Sequence, residues 1–158
     1  MHEVGGQGHP AKLSFLHNSP LLRSFQPVDV IIGALGIRPD DVVIDFGCGP
    51  GFYTVPLARK AKRVIGIDVQ AGMLEKAASY AEKSGVKVEF YLSDGREIPL
   101  PDSTVDLVFM RWVYHELEDR RVVLREMARV LRSGGRLAIM EKTRRGLRPI
   151  GPPTVSAS

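Results

Sequence analysis

Short apolar segments alternate with helical patterns along most of this chain. From residue 41 onward, five segments rich in Val, Ile and Leu predict strands at 41–46, 63–68, 87–92, 105–111 and 136–141. Their apolar residues run without strict alternation, which is typical of strands buried on both faces of a sheet. Helical patterns fall between them, at 51–60, 71–83 and 119–131. This order predicts a parallel sheet with crossover helices.

The flanking regions predict how the chain divides. Residues 28–35 lie between Pro27 and Gly36 and predict a short helix, since proline favours a helix start and glycine the position after its end. Residues 1–26 carry few regular signals and are expected to form an N-terminal arm. Residues 143–158, rich in Arg, Pro, Gly and Ser, predict an irregular basic tail. One domain, 27–142, is therefore expected, which suits a length of 158 residues.

The composition excludes several classes of protein. Hydrophobic residues make up 44% and charged residues 25%, as in ordinary globular proteins. The longest apolar stretch, 30–37, is far shorter than the roughly 20 residues that span a bilayer, so no membrane span is expected. The single cysteine, Cys48, cannot form an internal disulfide and indicates a cytoplasmic location. The histidines show no paired ligand spacing, so no metal site is predicted.

Positive charge is concentrated near the C-terminus. Residues 1–110 hold 11 basic and 13 acidic side chains, whereas residues 111–158 hold 11 and 5. We interpret this difference as a solvated helix face followed by a basic tail. Binding of RNA or of an anionic substrate stays open, because guanidinium groups suit phosphates and carboxylates.

The most informative segment joins the first predicted strand to the next helix. It reads Val42-Val43-Ile44-Asp45-Phe46-Gly47-Cys48-Gly49-Pro50-Gly51. Glycines there permit positive φ and let a ligand touch the backbone, and a helix start offers free N–H groups. Asp68 ends the next strand, where a carboxylate accepts hydrogen bonds from ribose hydroxyls, and Asp94 follows the third strand. A dinucleotide fold would need a small residue where this chain has Phe52, so a nucleoside with a short charged tail fits better.

These motifs resemble those of the class I S-adenosylmethionine-dependent methyltransferases. The likeness is strongest to the small-molecule branch (methyltransferase type 11) that includes the ubiquinone/menaquinone-biosynthesis enzymes. It covers roughly residues 27–142, with five motifs in register at 43–51, 64–69, 93–95, 98–108 and 126–137. The resemblance implies a Rossmann-like, doubly wound α/β sheet with parallel strand order 3-2-1-4-5. It also implies S-adenosylmethionine as cofactor, with S-adenosylhomocysteine as its product.

The resemblance implies two groups of cofactor-binding residues. Those expected around the methionyl part are Asp45, Gly47, Cys48, Gly49, Gly51 and Arg111. There the glycines would bring their backbone against the cofactor, and the Asp45 carboxylate would reach the ammonium group of the cofactor directly or through water. Cys48 would fill the loop rather than act as a nucleophile. Around the adenosine, Asp68 would hold the ribose hydroxyls and Val69 would pack on the adenine. Asp94 would accept from the adenine amino group, and Gly95 would donate its N–H to the ring.

The candidate catalytic residues follow the fourth strand, at the edge where open α/β sheets bind ligands. Methyl transfer is an in-line displacement, so it needs near-attack geometry, and it needs a base only if the acceptor loses a proton. His115 is the candidate base, because imidazole is the side chain that most often serves as a general base in enzymes. Tyr114 and Trp112 are candidate walls of the acceptor site. A packing role stays open for all three.

Members of the family continue past the fifth strand with a helix and two further strands, whereas 17 residues follow Glu141 here. Either the chain is naturally short or it is a truncated product. We therefore expect it to lack the sixth and seventh strands, with a homodimer or the tail covering the apolar edge at 136–141. The favoured function is methyl transfer to a small-molecule acceptor. An RNA- or protein-directed methyltransferase and a non-catalytic, cofactor-binding partner subunit stay open.

Overall fold

A computed structural model of the chain describes residues 28–141, so the predicted arm and tail lie outside the described residues. The elements follow one another as α1 (Val28–Ala34), β1 (Val42–Phe46), α2 (Thr54–Ala58), β2 (Arg63–Asp68), α3 (Ala71–Lys83), β3 (Glu89–Leu92), β4 (Val105–Arg111), a 3-10 turn (Tyr114–Glu116), α4 (Arg120–Val130) and β5 (Leu131–Met140). Between residues 28 and 141, no helix is both long enough and apolar enough to cross a membrane.

The five strands form one sheet in the order β3-β2-β1-β4-β5, and every neighbouring pair is parallel. This confirms the predicted doubly wound α/β fold and its strand order. The chain moves outward from β1 through β2 to β3 and then returns to the other side of β1. Ligands of such sheets bind outside the carboxyl ends of the strands at this reversal, between β1 and β4.

The core lies on both faces of the sheet, which explains the continuous apolar runs of the strands. All five residues of β1 are buried. On one face, Ile44 packs in a cluster with Met127 of α4. On the other face, Val43 packs with Ile32 of α1 and Leu57 of α2. Each large apolar side chain buried in this way contributes about 1.5–3 kcal/mol relative to an exposed one.

The bounds of β2, β4 and α3 agree with the prediction, and the other elements differ at their ends. Helix α2 begins later than predicted, since Gly51, with φ +90°, lies outside the helical conformation, and it ends at Ala58 instead of residue 60. Helix α4 ends at Val130 because Leu131 is already extended and pairs with Val105. The register then shifts before Arg136 pairs with Leu107, so β5 begins earlier than expected and contains a bulge.

Strand β5 is the last described element of the sheet, and it pairs with β4 along one side. Arg136 fastens it to the end of α1, since its guanidinium donates to the carbonyl oxygens of Leu35 at 2.7 Å and Gly36 at 3.2 Å. Residues 135–140 are partly exposed. The expectation about further strands concerns residues outside the described range and stays a prediction.

Candidate cofactor site

A cavity of about 650 Å³ lies at the carboxyl edge of the sheet, where the strand order reverses. Most of its lining comes from four segments, namely the turn after β1, the end of β2, the loop after β3 and the segment after β4. Small-molecule sites in proteins measure roughly 300–1,000 Å³. The cavity therefore has the size and the place in the fold expected for the nucleoside site.

The turn after β1 requires glycine at two positions for different reasons. Gly47 has φ +73°, and a Cβ there would overlap the side chain of Val113, so no larger residue fits. Gly49 has φ +52°, but a Cβ there would meet nothing within 4 Å. Both residues line the cavity. The backbone at Gly49 thus faces open space, as a loop that contacts a ligand through its backbone should.

The surroundings of Gly51 differ from those of Gly47 and Gly49. It is buried and does not line the cavity. With φ +90°, it lies so close to α3 that a Cβ would come within 3.2 Å of the Ala77 Cα atom. Gly51 therefore allows α3 to pack against the turn, and its expected contact with the cofactor stays a prediction.

Asp68 fastens the glycine turn to the end of β2. Its Oδ2 accepts the N–H of Gly49 at 2.9 Å, and its Oδ1 accepts the N–H of Gln70, also at 2.9 Å. The N–H groups of Gly47 and Cys48 donate to the carbonyl oxygen of Ile67 at 2.7 and 3.0 Å. An ionised carboxylate has about four acceptor positions, so Asp68 keeps acceptor capacity for ribose hydroxyls while it holds the turn.

Asp45 lies at the base of the cavity and is buried. Burial raises the pKa of its carboxyl group to about 6, and the negative charge of Asp68 acts in the same direction. The hydroxyl of Thr54, which donates to Asp45 Oδ2 at 2.7 Å, and the charge of Arg111 oppose this rise. Above pH 6 the cavity therefore holds a poorly solvated negative charge, which a cationic ligand group would stabilise.

Cys48 is buried beside Asp45 and lines the cavity. Burial raises the pKa of its thiol, and the charges of Asp45 and Asp68 raise it further. The thiolate is the nucleophilic form of cysteine, and here it is strongly disfavoured. The structure is therefore consistent with the predicted filler role.

The adenosine end of the predicted site is built from the residues that follow β2 and β3. Val69 lines the cavity with 62% of its surface exposed, which suits an apolar side chain that packs on a ring. Asp94 also lines the cavity. Gly95 does not, because it is buried against Phe46, whose Cζ lies 2.5 Å from the position of a Cβ. Its N–H donates to Ser93 Oγ at 3.0 Å, and its expected bond to the adenine ring stays a prediction.

Arg111 lies at the opposite end of the cavity, between two aromatic rings. Its Cζ atom is 3.3 Å from the centroid of the Trp112 ring and 4.8 Å from that of Tyr53, and all three residues line the cavity. Burial lowers the pKa of Arg111, although the neighbouring Tyr53 and Asp45 counteract this effect. Arg111 therefore lies close enough to Asp45 for their charges to interact, and its predicted place near the methionyl end of the cofactor stays a prediction.

The backbone at Trp112 adopts φ +56°, a conformation that costs a non-glycine residue of order 1–3 kcal/mol. Its N–H donates to the carbonyl oxygen of Met140 at 2.8 Å, so β5 holds it in place. This turn directs the chain after β4 across the cavity. Val113, Glu116 and Leu117 consequently line the cavity as well.

The structure does not bring Tyr114 or His115 into the cavity lining. Tyr114 packs against the core, and the Arg120 Cζ atom lies 4.9 Å from its ring centroid. The His115 side chain is 59% exposed, and its Nδ1 lies 2.8 Å from Glu141 Oε2. The catalytic role of these two residues stays a prediction.

The sequence pattern did not point to Glu141 as a partner of His115. A signal was present, because Glu141 directly follows β5 and parallel neighbouring strands end at the same edge of a sheet. Arg96 and Glu118, which line the cavity, were also missed. No three His, Cys, Asp or Glu side chains within the described part of the chain are grouped as a metal ion would require.

Comparisons with known proteins show which family this chain resembles. Residues 44–139 match the family model described as a methyltransferase domain. The chain is 38% identical over 114 residues to 27-O-demethylrifamycin SV methyltransferase from Amycolatopsis mediterranei. The aligned segment covers 70% of this chain and 42% of that protein. The chain is 37% identical over 107 residues to demethylmenaquinone methyltransferase from Corynebacterium urealyticum, covering 68% of this chain and 44% of that protein. The chain spans less than half the length of these curated relatives.

Solved structures show the same architecture. A SAM-dependent methyltransferase from Aquifex aeolicus matches with a TM-score of 0.78 and 31% identity, over 90% of this chain and 79% of that chain. YcgJ from Bacillus subtilis matches with a TM-score of 0.69 and 30% identity, over 73% of this chain and 50% of that chain. The family match runs from β1 to β5 and includes every strand of the sheet. This chain therefore belongs to the methyltransferase domain family, within the class I S-adenosylmethionine-dependent methyltransferases.

Proposed function

We propose that this protein transfers a methyl group from S-adenosylmethionine to a small-molecule acceptor. One observation carries the proposal: a single cavity connects the glycine turn and Asp68 with the polar segment that follows β4. The glycine turn and Asp68 suit a nucleoside, and the segment after β4 offers an adjoining wall for an acceptor. Two relatives are named for methylating demethylmenaquinone and 27-O-demethylrifamycin SV, and this supports a small acceptor.

The residues around the cavity fit S-adenosylmethionine in shape and in charge. Open space faces the backbone of Gly49, and Val69 offers an exposed apolar surface. Four aspartates line the cavity, and Asp45, Asp68 and Asp94 are among them. The cofactor is positively charged at its sulfonium and ammonium groups, so a cavity rich in carboxylates attracts it.

Each half of the cofactor would have its own set of residues. Asp68 would accept from the ribose hydroxyls, Val69 would pack on the adenine, and Asp94 would accept from the adenine amino group. The backbone from Gly47 to Gly49 would hold the methionyl chain. Asp45 would balance the ammonium charge directly or through water, and this pairing would offset the cost of burying its carboxylate.

When bound, S-adenosylmethionine supplies the methyl group: an electron pair of the acceptor forms the new bond to the methyl carbon as the carbon–sulfur bond breaks. The sulfur keeps the electron pair of the broken bond and becomes a neutral thioether. The protein's own contribution is orientation. The hydrogen bonds from Gly49 to Asp68 and from Trp112 to Met140 fix the two sides of the cavity relative to the sheet. Fixed geometry of this kind supplies much of the rate of a displacement reaction.

An acceptor that carries an acidic proton would also need a base, and we propose His115 for this role. The 2.8 Å contact with Glu141 orients the imidazole, as a carboxylate partner does in other acid–base pairs. The acceptor proton would go to Nε2. Because His115 lies outside the cavity lining, this role requires the acceptor to extend toward the 3-10 turn.

Calorimetry with S-adenosylhomocysteine and with NAD tests the cofactor. We expect S-adenosylhomocysteine to bind and NAD not to bind, and binding of NAD alone would overturn the proposal. Transfer of a labelled methyl group into small-molecule, RNA and protein fractions then tests the acceptor. Label in the small-molecule fraction supports the proposal. Label in the RNA or protein fraction contradicts it and supports an RNA- or protein-directed methyltransferase instead. Cofactor binding without transfer into any fraction would support a non-catalytic partner subunit.

We also propose a cytoplasmic location. The support is the sequence itself, which has one cysteine in 158 residues. Fractionation of the native cells with an antibody to this chain tests it.

A further inference from the structure

A guanidinium group links two loops at the adenosine end of the cavity. Arg96 lies in the loop after β3, and Glu118 lies in the segment between β4 and α4. Arg96 Nη2 is 3.4 Å from Glu118 Oε2, and Arg96 Nε is 3.5 Å from Asp94 Oδ2. In the sheet, β3 and β4 are separated by β2 and β1. The ion pair with Glu118 therefore spans the ends of the strands that carry the glycine turn and Asp68.

Arg96 also sets the direction of the Asp94 carboxylate. The backbone N–H of Arg96 donates to Asp94 Oδ1 at 3.0 Å, while the Arg96 side chain lies near Oδ2. Both carboxylate oxygens thus face the same residue, and each keeps acceptor capacity on its remaining side. A carboxylate oriented in this way accepts from an amino group and repels a carbonyl oxygen.

The three side chains are accessible to solvent. Arg96, Asp94 and Glu118 are 53%, 58% and 66% exposed, and all three line the cavity. Ion pairs between exposed groups contribute little to stability, typically less than about 1 kcal/mol. Breaking the link should therefore affect ligand binding more than folding.

We propose that Arg96 is a positioning residue that determines the preference of this site for adenine. It aims Asp94 at the amino group of the base, and through Glu118 it holds the opposite loop over the base. The inference rests on the proposed cofactor. It extends that proposal by assigning base selectivity to a residue that need not bond to the base itself.

The test compares two ligands that differ at one position of the base. S-adenosylhomocysteine presents an amino group, and S-inosylhomocysteine presents a carbonyl oxygen there. Their dissociation constants and dissociation rates are measured for the parent, Arg96→Gln, Arg96→Lys and Glu118→Gln. Arg121→Gln is the control, since Arg121 is an exposed arginine of α4 outside the cavity lining. Thermal melts establish that every variant folds.

We expect the parent and Arg121→Gln to prefer the adenosine ligand by about tenfold or more. Arg96→Gln should lose most of that preference, mainly through weaker adenosine binding. Arg96→Lys should retain part of it, because its ammonium group still pairs with Asp94. Glu118→Gln should release both ligands about two- to threefold faster and keep the preference, since the contact between Arg96 and Asp94 persists.

The outcomes separate this inference from the proposed function. If Arg96→Gln keeps the full preference, or weakens both ligands equally, Arg96 does not position Asp94 and the inference is wrong. In either case the binding of S-adenosylhomocysteine by the parent still supports the proposed cofactor. A parent that binds neither ligand contradicts both proposals.

Discussion

Asp68 holds Gly49 by a 2.9 Å hydrogen bond from the backbone N–H to Oδ2, and this bond connects the two strand ends on which the nucleoside site depends. Its consequence is that one carboxylate has two tasks. It fixes the shape of the glycine turn, and it presents acceptor positions to the cavity. Changes at Asp68 should therefore affect both binding and stability.

The first prediction concerns Asp68→Ala. Loss of two charge-assisted hydrogen bonds to ribose, each worth about 1.5–3 kcal/mol, should lower the affinity for S-adenosylhomocysteine at least tenfold. Loss of the bonds from Gly49 and Gln70 should also lower the free energy of unfolding by about 1–3 kcal/mol. Calorimetry and urea unfolding measure the two effects. Asp40→Ala, at an exposed aspartate, is the control, and equal affinity of Asp68→Ala and the parent would limit Asp68 to a structural role.

A second prediction uses the contrast between the two glycines of the turn. Gly47→Ala should lower the free energy of unfolding by about 2–5 kcal/mol, because the new Cβ overlaps Val113 and the backbone has positive φ. Gly49→Ala should cost only about 1–2 kcal/mol of strain, because its Cβ would meet open space. Its methyl group would instead occupy part of the cavity and weaken cofactor binding.

Urea unfolding and calorimetry of both variants test this contrast. Adding Val113→Ala should recover part of the stability lost in Gly47→Ala, because it removes the overlapping atoms. It should not help Gly49→Ala. Equal stability of Gly47→Ala and Gly49→Ala would contradict the prediction.

The third prediction concerns the buried carboxyl group of Asp45, whose pKa is raised from 3.8 to about 6. A raised pKa means that the folded state prefers the protonated group. This contribution to stability is complete below pH 3.8 and is lost as the pH rises through about 6. Asp45→Asn removes the buried charge, and the hydroxyl of Thr54 can still donate to the amide oxygen.

Asp45→Asn should therefore unfold with a free energy about 1–3 kcal/mol higher than the parent at about pH 7.5. The difference should shrink toward zero near about pH 4. The same variant should bind S-adenosylhomocysteine more weakly at the higher pH, since it lacks the charge that balances the ammonium group. A stability difference that stays constant across this pH range would show that Asp45 is not the titrating group.

Much of the fold could be predicted because local and global signals agree. The bounds of β2, β4 and α3 follow from apolar runs and helical periodicity that are long enough to be unambiguous. The turn around Gly47 and Gly49 could be located as well, because alternate glycines directly after a buried strand are typical of a turn that contacts a ligand through its backbone. These features depend on residues close together in the sequence.

The features that could not be predicted depend on distant neighbours. The sequence pattern does not show that Gly51 lies against Ala77 or that Gly95 lies against Phe46. The contact between His115 and Glu141 depends on how β4 and β5 align, and the bulge in β5 changes that register. A pattern along the chain does not encode which side chain occupies the space in front of a backbone atom.

The fourth prediction concerns the pair of His115 and Glu141. If the acceptor must lose a proton, Glu141→Gln should lower kcat about tenfold or more with little change in KM, because it removes the group that orients His115. His115→Asn should have at least the same effect, and the double variant should be no worse than His115→Asn alone. The binding of S-adenosylhomocysteine should stay unchanged in all three. Additive losses in the double variant would show that the two residues act independently.

The last prediction concerns the open side of β5. Within residues 28–141, β5 pairs only with β4, so its other side leaves backbone N–H and C=O groups without a neighbouring strand. Such an edge attracts another strand, and a two-fold dimer is the usual closed arrangement. We expect either a homodimer through residues 136–141 or a cover formed by the tail at 143–158. Light scattering measures the mass, and amide exchange measures the protection of residues 136–141.

A shortened variant that ends at Glu141 distinguishes between a tail and a dimer as the cover of the β5 edge. If the tail covers the edge, its removal should speed amide exchange at 136–141 while the mass remains that of a monomer. If a dimer covers the edge, the shortened chain should stay dimeric and keep slow exchange. The bonds from Arg136 to the end of α1 do not protect these amides, because they are made by the side chain and leave the backbone edge open. Fast exchange throughout 136–141 in a monomeric full chain would show that neither cover exists.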